Sequence, residues 1–179
     1  MQALLDKGPA VLQAGFSTDD LVKVAANNGG QQALQALLDK GPPLRQAGFT
    51  PDNLVKVAAN GGGAQALQAL LDKGPALRQA GFSSDNLVKV AANGGGAQAL
   101  QGLLDKGWAL RQAGFSPDNL VSIAGNNGGK KALDTLLQVH PRLTQGGVSH
   151  AEILNLATKQ RGASGALQSK LGELTSAGR

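Results

Sequence analysis

Cysteine and tyrosine are absent, and the aromatic residues are limited to one Trp and four Phe. Without cysteine no disulfide or thiolate-held metal can form, and the redox compartment is left open. No stretch approaches the ~18 consecutive apolar residues of a membrane helix. Met1 opens directly into an amphipathic segment rather than a basic region followed by an apolar run, so no membrane association and no secretory leader are expected. The histidines His140 and His150 have no carboxylate or second histidine at ligand spacing in the sequence, so no metal site is expected. With no repeated or clustered His, Cys or paired carboxylates, the chain does not read as an enzyme, and neither cofactor nor small-molecule substrate is expected.

What is present is small. Glycine occurs 26 times, and the apolar residues are mostly Ala, Leu and Val. Such side chains cannot fill a deep central core, but they can fill a thin one shared between stacked helices. Lys and Arg number 17 against 12 Asp and Glu, a net charge of +5. That sign suits a nucleic-acid partner, and it suits plain solubility equally well.

Self-alignment supplies the organisation. Phe16, Phe49, Phe82 and Phe115 stand 33 residues apart, and Val148 takes the same place once more. The unit from Phe49 and the unit from Phe82 are identical at 29 of 33 positions, differing at Thr50/Ser83, Pro51/Ser84, Ala69/Gly102 and Pro75/Trp108. Four full units are therefore assigned to residues 16–48, 49–81, 82–114 and 115–147. Residues 1–15 read as the second half of a unit, because Met1 to Pro9 parallels Leu34 to Pro42. Residues 148–179 are degenerate and more charged, as a terminal cap should be.

Each unit predicts two helices. In the unit from Phe49, Thr50 is an N-cap and Pro51 suits the first helical position. Phe49 and Leu54 stand at hydrophobic-staple spacing. Leu54, Val57 and Ala58 form one apolar stripe, and the helix stops at Asn60 against Gly61, Gly62 and Gly63. A second helix carries Leu67, Leu70 and Leu71 and is expected to end near Lys73, at Gly74-Pro75. A short Ala76–Ala80 turn then leads into the next Phe. Lys40, Lys73 and Lys106 are accordingly placed at helix ends, where they complement the dipole. Neither helix buries its stripe alone, so units must stack, with every interhelical loop on one edge.

Those loops read Asn27-Asn28-Gly29-Gly30, Asn60-Gly61-Gly62-Gly63, Asn93-Gly94-Gly95-Gly96 and Asn126-Asn127-Gly128-Gly129. The first residue is always Asn, the second alternates between Asn and Gly, and the last two are always Gly. Asn and Gly commonly terminate helices. A frozen frame around one switching residue, repeated four times, is instead what a recognition loop needs.

The pattern Leu-Val-Lys-Val-Ala-Ala-Asn-Xaa-Gly-Gly-Xaa-Gln-Ala-Leu resembles the TAL-effector repeat, whose adjacent loop residues form a base-reading pair. The 33-residue length and leading Phe are more similar to the smaller TAL-like proteins of bacterial endosymbionts and marine sequences than to the 34-residue plant-pathogen effectors. The resemblance is strong over residues 16–147 and weak over residues 148–179. It implies an all-α fold, a right-handed superhelical α-solenoid of two-helix repeats. It also implies a monomeric protein of bacterial origin, cytoplasmic or delivered to a host nucleus, that binds double-stranded DNA.

Carried over, the family's mechanism has Asn27, Asn60, Asn93 and Asn126 bonding back to a carbonyl of the preceding helix and holding the loop. Asn28, Gly61, Gly94 and Asn127 then each face one base in the major groove. An Asn there donates to purine N7, and a Gly leaves room for the thymine methyl, so the expected preference is purine-T-T-purine. The phosphate-proximal groups implied are Gly29, Gly30 and Gln32; Gly62, Gly63 and Gln65; Gly95, Gly96 and Gln98; and Gly128, Gly129, Lys130 and Lys131.

The chain also departs from the family. A Lys usually follows the glycines, but here that place holds Gln31, Ala64, Ala97 and Lys130, so one unit keeps it. Charge must come from elsewhere: Lys23, Lys56 and Lys89 in the first helices, or Arg45, Arg78 and Arg111 beyond the second. Basic repeats normally precede the first reading unit, whereas 15 residues precede Phe16 here, so weak binding by a fragment or small relative of a longer array is expected. Trp108 is expected to cap a groove between repeats. Lys159-Gln160 falls at the reading pair of the last unit, where Arg161-Gly162 interrupts the Gly-Gly frame. The competing reading is a helical-repeat scaffold for protein partners. Tetratricopeptide and ankyrin signatures are missing, and the variation lies in a loop rather than along a helix face. RNA fits less well than DNA, because its deep, narrow major groove would not admit the loops.

Overall fold

A computed structural model describes residues 2–27 and 29–177, and among them there are eleven α-helices and no strand. Short and long helices alternate. The short ones have eight residues each: α2 (Thr18–Ala25), α4 (Pro51–Ala58), α6 (Ser84–Ala91), α8 (Pro117–Ala124) and α10 (His150–Ala157). The long ones are α1 (Gln2–Gln13), α3 (Gly30–Gln46), α5 (Gly63–Gln79), α7 (Gly96–Gln112), α9 (Gly129–Gln145) and α11 (Ala163–Ala177). Each long helix packs on the next long helix, and α2, α4, α6 and α8 pack in the same succession, giving two layers with a core between them.

The short helices begin at local caps. Ser17, Thr50, Ser83, Ser116 and Ser149 each accept the backbone N–H three residues on, at 3.1–3.2 Å. In three of them the third helical residue returns the bond, Asp20 to Ser17 N–H and Asn53 and Asn119 to Thr50 and Ser116 N–H. Asp20 accepts both Ser17 donors, backbone first, and its carboxyl is held below the usual aspartate value.

The long helices end in a repeated Schellman motif. At α3, Phe49 N–H reaches Leu44 O at 3.1 Å and Gly48 N–H reaches Arg45 O at 2.9 Å, with Gly48 at φ 90°. The same pair of bonds recurs before Phe16, Phe82, Phe115 and Val148. One residue per unit thus closes a long helix, leads into a short one and enters the core, where all five are buried. The core repeats in register: Leu34, Leu37 and Leu44 on α3 recur as Leu67, Leu70 and Leu77 on α5 and as Leu100, Leu103 and Leu110 on α7.

The long helices extend further than the sequence reading placed them. α5 runs through Gly74-Pro75 to Gln79, and Pro42, Pro43 and Pro141 likewise lie inside helices. Proline at position 75 forfeits one bond to the carbonyl four residues earlier. Packing compensates: α5 packs against both α3 and α7, and Gly74 and Leu77, on either side of the proline, are buried. Lys40, Lys73 and Lys106 therefore sit in mid-helix, and the last turns carry Arg45, Arg78 and Arg111 instead. These arginines donate to the C-cap carbonyl of the previous long helix, Arg45 to Ala14 O at 2.7 Å, Arg78 to Ala47 O and Arg111 to Ala80 O. A cation at the negative end of a helix is favourable. The arginines bind repeat to repeat at the edge remote from the glycine loops, roughly 22 Å along a long helix.

Trp108 caps no groove. It occupies the place of Pro75 on the outer face of α7 and is 75% exposed. His140 and His150, isolated in sequence, meet across Phe115: His140 lies 5.3 Å from its ring edge-on and His150 4.3 Å away. Position 140 corresponds to Gly41, Gly74 and Gly107, each of which faces the Phe of its own unit. In the fourth unit a histidine fills that space. Between α9 and α11 a buried Thr135–Ser164 hydroxyl pair at 2.6 Å fixes the terminal helix.

Candidate functional site

The interhelical loops share one construction, clearest in the second unit. Asn60 uses three groups to hold the chain. Its N–H donates to Val57 O at 3.3 Å, its amide Nδ2 donates to Lys56 O at 2.8 Å, and its carbonyl accepts from Gly63 N–H at 2.8 Å. The last of these closes a four-residue turn, and Gly62 at φ 88°, ψ 15° has the third-position angles of a type II turn. That position demands a positive φ, which glycine supplies without strain. Gly29, Gly95 and Gly128 have matching angles, and Gly30, Gly96 and Gly129 donate to Asn27, Asn93 and Asn126 carbonyls at 2.8–2.9 Å.

The second glycine of each pair is constrained differently. Gly63 is buried, and a Cβ there would lie 2.3 Å from Ala58 O; the corresponding distances at Gly30, Gly96 and Gly129 are 2.6, 2.2 and 2.1 Å to the preceding short helix. Both glycines of the frame are therefore dictated by the turn itself. The remaining residue is not. Gly61 and Gly94 have no positive φ, are exposed, and would place a Cβ in open space. Asn127 is likewise exposed, and Asn28 lies outside the described residues. A rigid turn thus presents one unconstrained side chain, at the position where the units vary.

Asn27 and Asn93 bond back to Lys23 O and Lys89 O at 2.9 and 2.8 Å, as Asn60 does to Lys56 O. Asn126 departs from the expectation. Its Nδ2 donates forward to Thr158 O at 2.8 Å, in the following unit. This accompanies an altered final loop, one residue longer than the others. There Gly162, at φ 76°, takes the left-handed place, and Ala163 starts α11 where the other long helices start with the crowded glycine. Arg161-Gly162 therefore retains the turn glycine by lengthening the loop.

Gln32, Gln65 and Gln98 are exposed beside the turns, with Oε1 3.8, 3.5 and 3.6 Å from where a Cβ on Gly29, Gly62 and Gly95 would stand. Successive loops adjoin: Gly61, Gly62 and Gln65 line a cleft of about 310 Å³ with Gly95, Gly96 and Gln98. The start of each long helix points its unpaired N–H groups and positive dipole end at this edge. Lys130 and Lys131 are exposed on the first turn of α9, with Lys130 Nζ 3.1 Å from Asp134 Oδ2. Lys23 and Lys56 line, with Asn27, a cleft of about 510 Å³ between α2 and α4, so the short-helix lysines border the loop edge. Among the described residues no group of three or more His, Cys, Asp or Glu could hold a metal ion, and no helix is long and apolar enough to cross a membrane.

Residues 127–159 match the family model for the TAL effector repeat. The match runs from Asn127, the variable loop residue, through α9 and α10 to Lys159, one period from loop to loop. It falls on the unit that keeps lysine after its glycines, and it takes in the first helix of the final unit, where the sequence resemblance was weaker. No curated protein matches the chain. A TAL-like repeat within an all-helical, two-layer protein is the resulting description.

Proposed function

We propose that the chain is a sequence-reading, double-stranded DNA-binding module of TAL-like repeats, one base per repeat. The observation that carries this reading is the contrast within each loop. Asn and two glycines are bound by turn geometry and helix contact, while the single residue between them, Gly61 or Gly94, is open on every side. A packing device has no use for a variable residue held so rigidly. A base reader does, because discrimination requires a side chain delivered at fixed depth and angle.

In this reading the 33-residue units wind as a right-handed superhelix that follows the major groove. Asn28, Gly61, Gly94 and Asn127 face successive bases of one strand, giving purine-T-T-purine. Asn27, Asn60 and Asn93 hold their loops through the bond back to the short helix, while Asn126 holds its own through the turn bond from Gly129 N–H and ties it forward to Thr158. Glycine N–H groups, the glutamines and the lysines of α9 lie toward phosphates. The chain acts as a monomer without cofactor or catalysis.

A protein-scaffold reading draws on one observation, the 75% exposed Trp108 with the exposed Leu104 one turn before it on α7. That patch occurs in one unit, whereas the loops recur in all four. A titration with labelled duplexes differing only in a purine-T-T-purine core separates the two. Preference for the core supports base reading. Absence of duplex binding at low salt returns the molecule to the scaffold class.

A further inference from the structure

The basic residues near the loops alternate between two positions. Units one to three carry Lys23, Lys56 and Lys89 in the last turn of the short helix and no lysine after the glycines. Unit four reverses this, with Ser122 on α8 and Lys130-Lys131 opening α9. Lys130 is engaged by Asp134 at 3.1 Å. Lys23, Lys56, Lys89 and Lys131 are exposed and, among the described residues, join no ion pair within 4.0 Å. Each unit thus keeps one unpaired lysine on one side or the other of its loop.

The short-helix lysines are tied to the loop by geometry. The carbonyls of Lys23, Lys56 and Lys89 are the acceptors of Asn27, Asn60 and Asn93, so each lysine stands about one helical turn, roughly 6 Å of rise, before the asparagine that directly precedes the variable residue. Lys23 and Lys56 open into the cleft that also holds Asn27. The acidic neighbours there are Asp20, whose carboxylate is occupied by the Ser17 cap, and Asp52. The arginines cannot take this role, being bound to C-cap carbonyls at the far edge.

We infer that Lys23, Lys56 and Lys89 form a phosphate-contacting row, one lysine per repeat, that replaces the lysine missing after the glycines. The inference rests on the duplex-binding reading and adds where its affinity comes from. B-DNA carries one negative charge per ~1.7 Å of axis, so a loop seated in the groove brings its flanking ammonium to the adjoining backbone. The contact is independent of base identity. It sets affinity and register, while the loop residue sets preference.

The test compares two triple variants of equal net charge with wild type on one purine-T-T-purine duplex over a range of salt. Lys23→Gln/Lys56→Gln/Lys89→Gln removes the row, and Lys40→Gln/Lys73→Gln/Lys106→Gln removes three lysines in mid-helix. The row variant should lower the log–log salt slope by about 2.7, at ~0.9 per phosphate, with its base profile unchanged, and the control should keep the wild-type slope. Ser122→Lys should steepen the slope by ~0.9. Helical content and melting of the row variant should match wild type, because Lys23, Lys56 and Lys89 are exposed. An unchanged slope in the row variant, or equal losses in both triples, overturns the inference while wild-type binding stands. A wild type that binds no duplex at any salt overturns the duplex reading itself, and this inference with it.

Discussion

Glycines that look alike in the loops differ in what holds them there. Gly63→Ala drives a methyl to 2.3 Å from Ala58 O, where backbone must move. The expected loss is roughly 1–3 kcal/mol or more, as for other overpacked sites. Gly61→Ala meets nothing within 4 Å and needs no left-handed backbone. By restricting the unfolded chain it should be neutral or stabilise by up to ~1 kcal/mol. Urea unfolding of the two variants checks the contrast, and similar losses in both would contradict the turn assignment. A related reciprocity explains one difference between units. Gly102 replaces Ala69 where a Cβ would lie 3.3 Å from Lys130 Cγ, so the smaller residue faces the unit whose alanine has become lysine.

Between elements, stability comes from one repeat gripping the last. Arg78 donates to Ala47 O, and its guanidinium lies 5.8 Å from the Phe49 ring centroid. Arg78→Ala should cost about 1.5–3 kcal/mol, the range for hydrogen bonds to charged groups. Arg78→Lys should recover little, because an ammonium cannot both stack and reach the carbonyl. At the C-terminal end the His140–Phe115–His150 cluster makes the fold sensitive to acid. Burial, and secondarily the charge of His150, hold His140 below the ordinary histidine value of 6.5. The unfolded chain therefore binds this proton more readily. The stability contributed by neutral His140 is full above the ordinary value and is lost as pH falls through the lowered one. Thermal melting should shift down between about pH 7.5 and about pH 5.5, and His140→Gln should flatten that shift. An equal shift in the variant would assign the effect elsewhere.

The helices and their stacking were legible in the sequence because their causes are local: a serine or threonine cap, the Leu54-Val57-Ala58 stripe, and a phenylalanine every 33 residues. The extent of the long helices was not. Pro75 and its counterparts weaken a helix in isolation, and the packing of each long helix on the next carries the chain through. The frame and switch of the loop were visible as a pattern, and the turn that explains the frame could have been read from Asn-Xaa-Gly. The histidine cluster, the arginine grips and the forward bond of Asn126 join residues 10 to 35 positions apart, which periodicity cannot reveal.

At the scale of the whole molecule, base reading is the claim on which the rest depends. It requires that the open loop position, and no other part of the turn, choose the base. The decisive measurement is a duplex panel varying one base at a time, read with wild type, Gly94→Asn and Asn93→Ala. Gly94→Asn puts a side chain where a thymine methyl would sit and offers a donor to purine N7. Preference at one base, and at no other, should move from thymine towards purine by about 1–3 kcal/mol. Asn93→Ala removes the 2.8 Å bond to Lys89 O and should weaken binding to every duplex without redirecting it. A base profile left unchanged by Gly94→Asn but altered by Asn93→Ala would contradict the account.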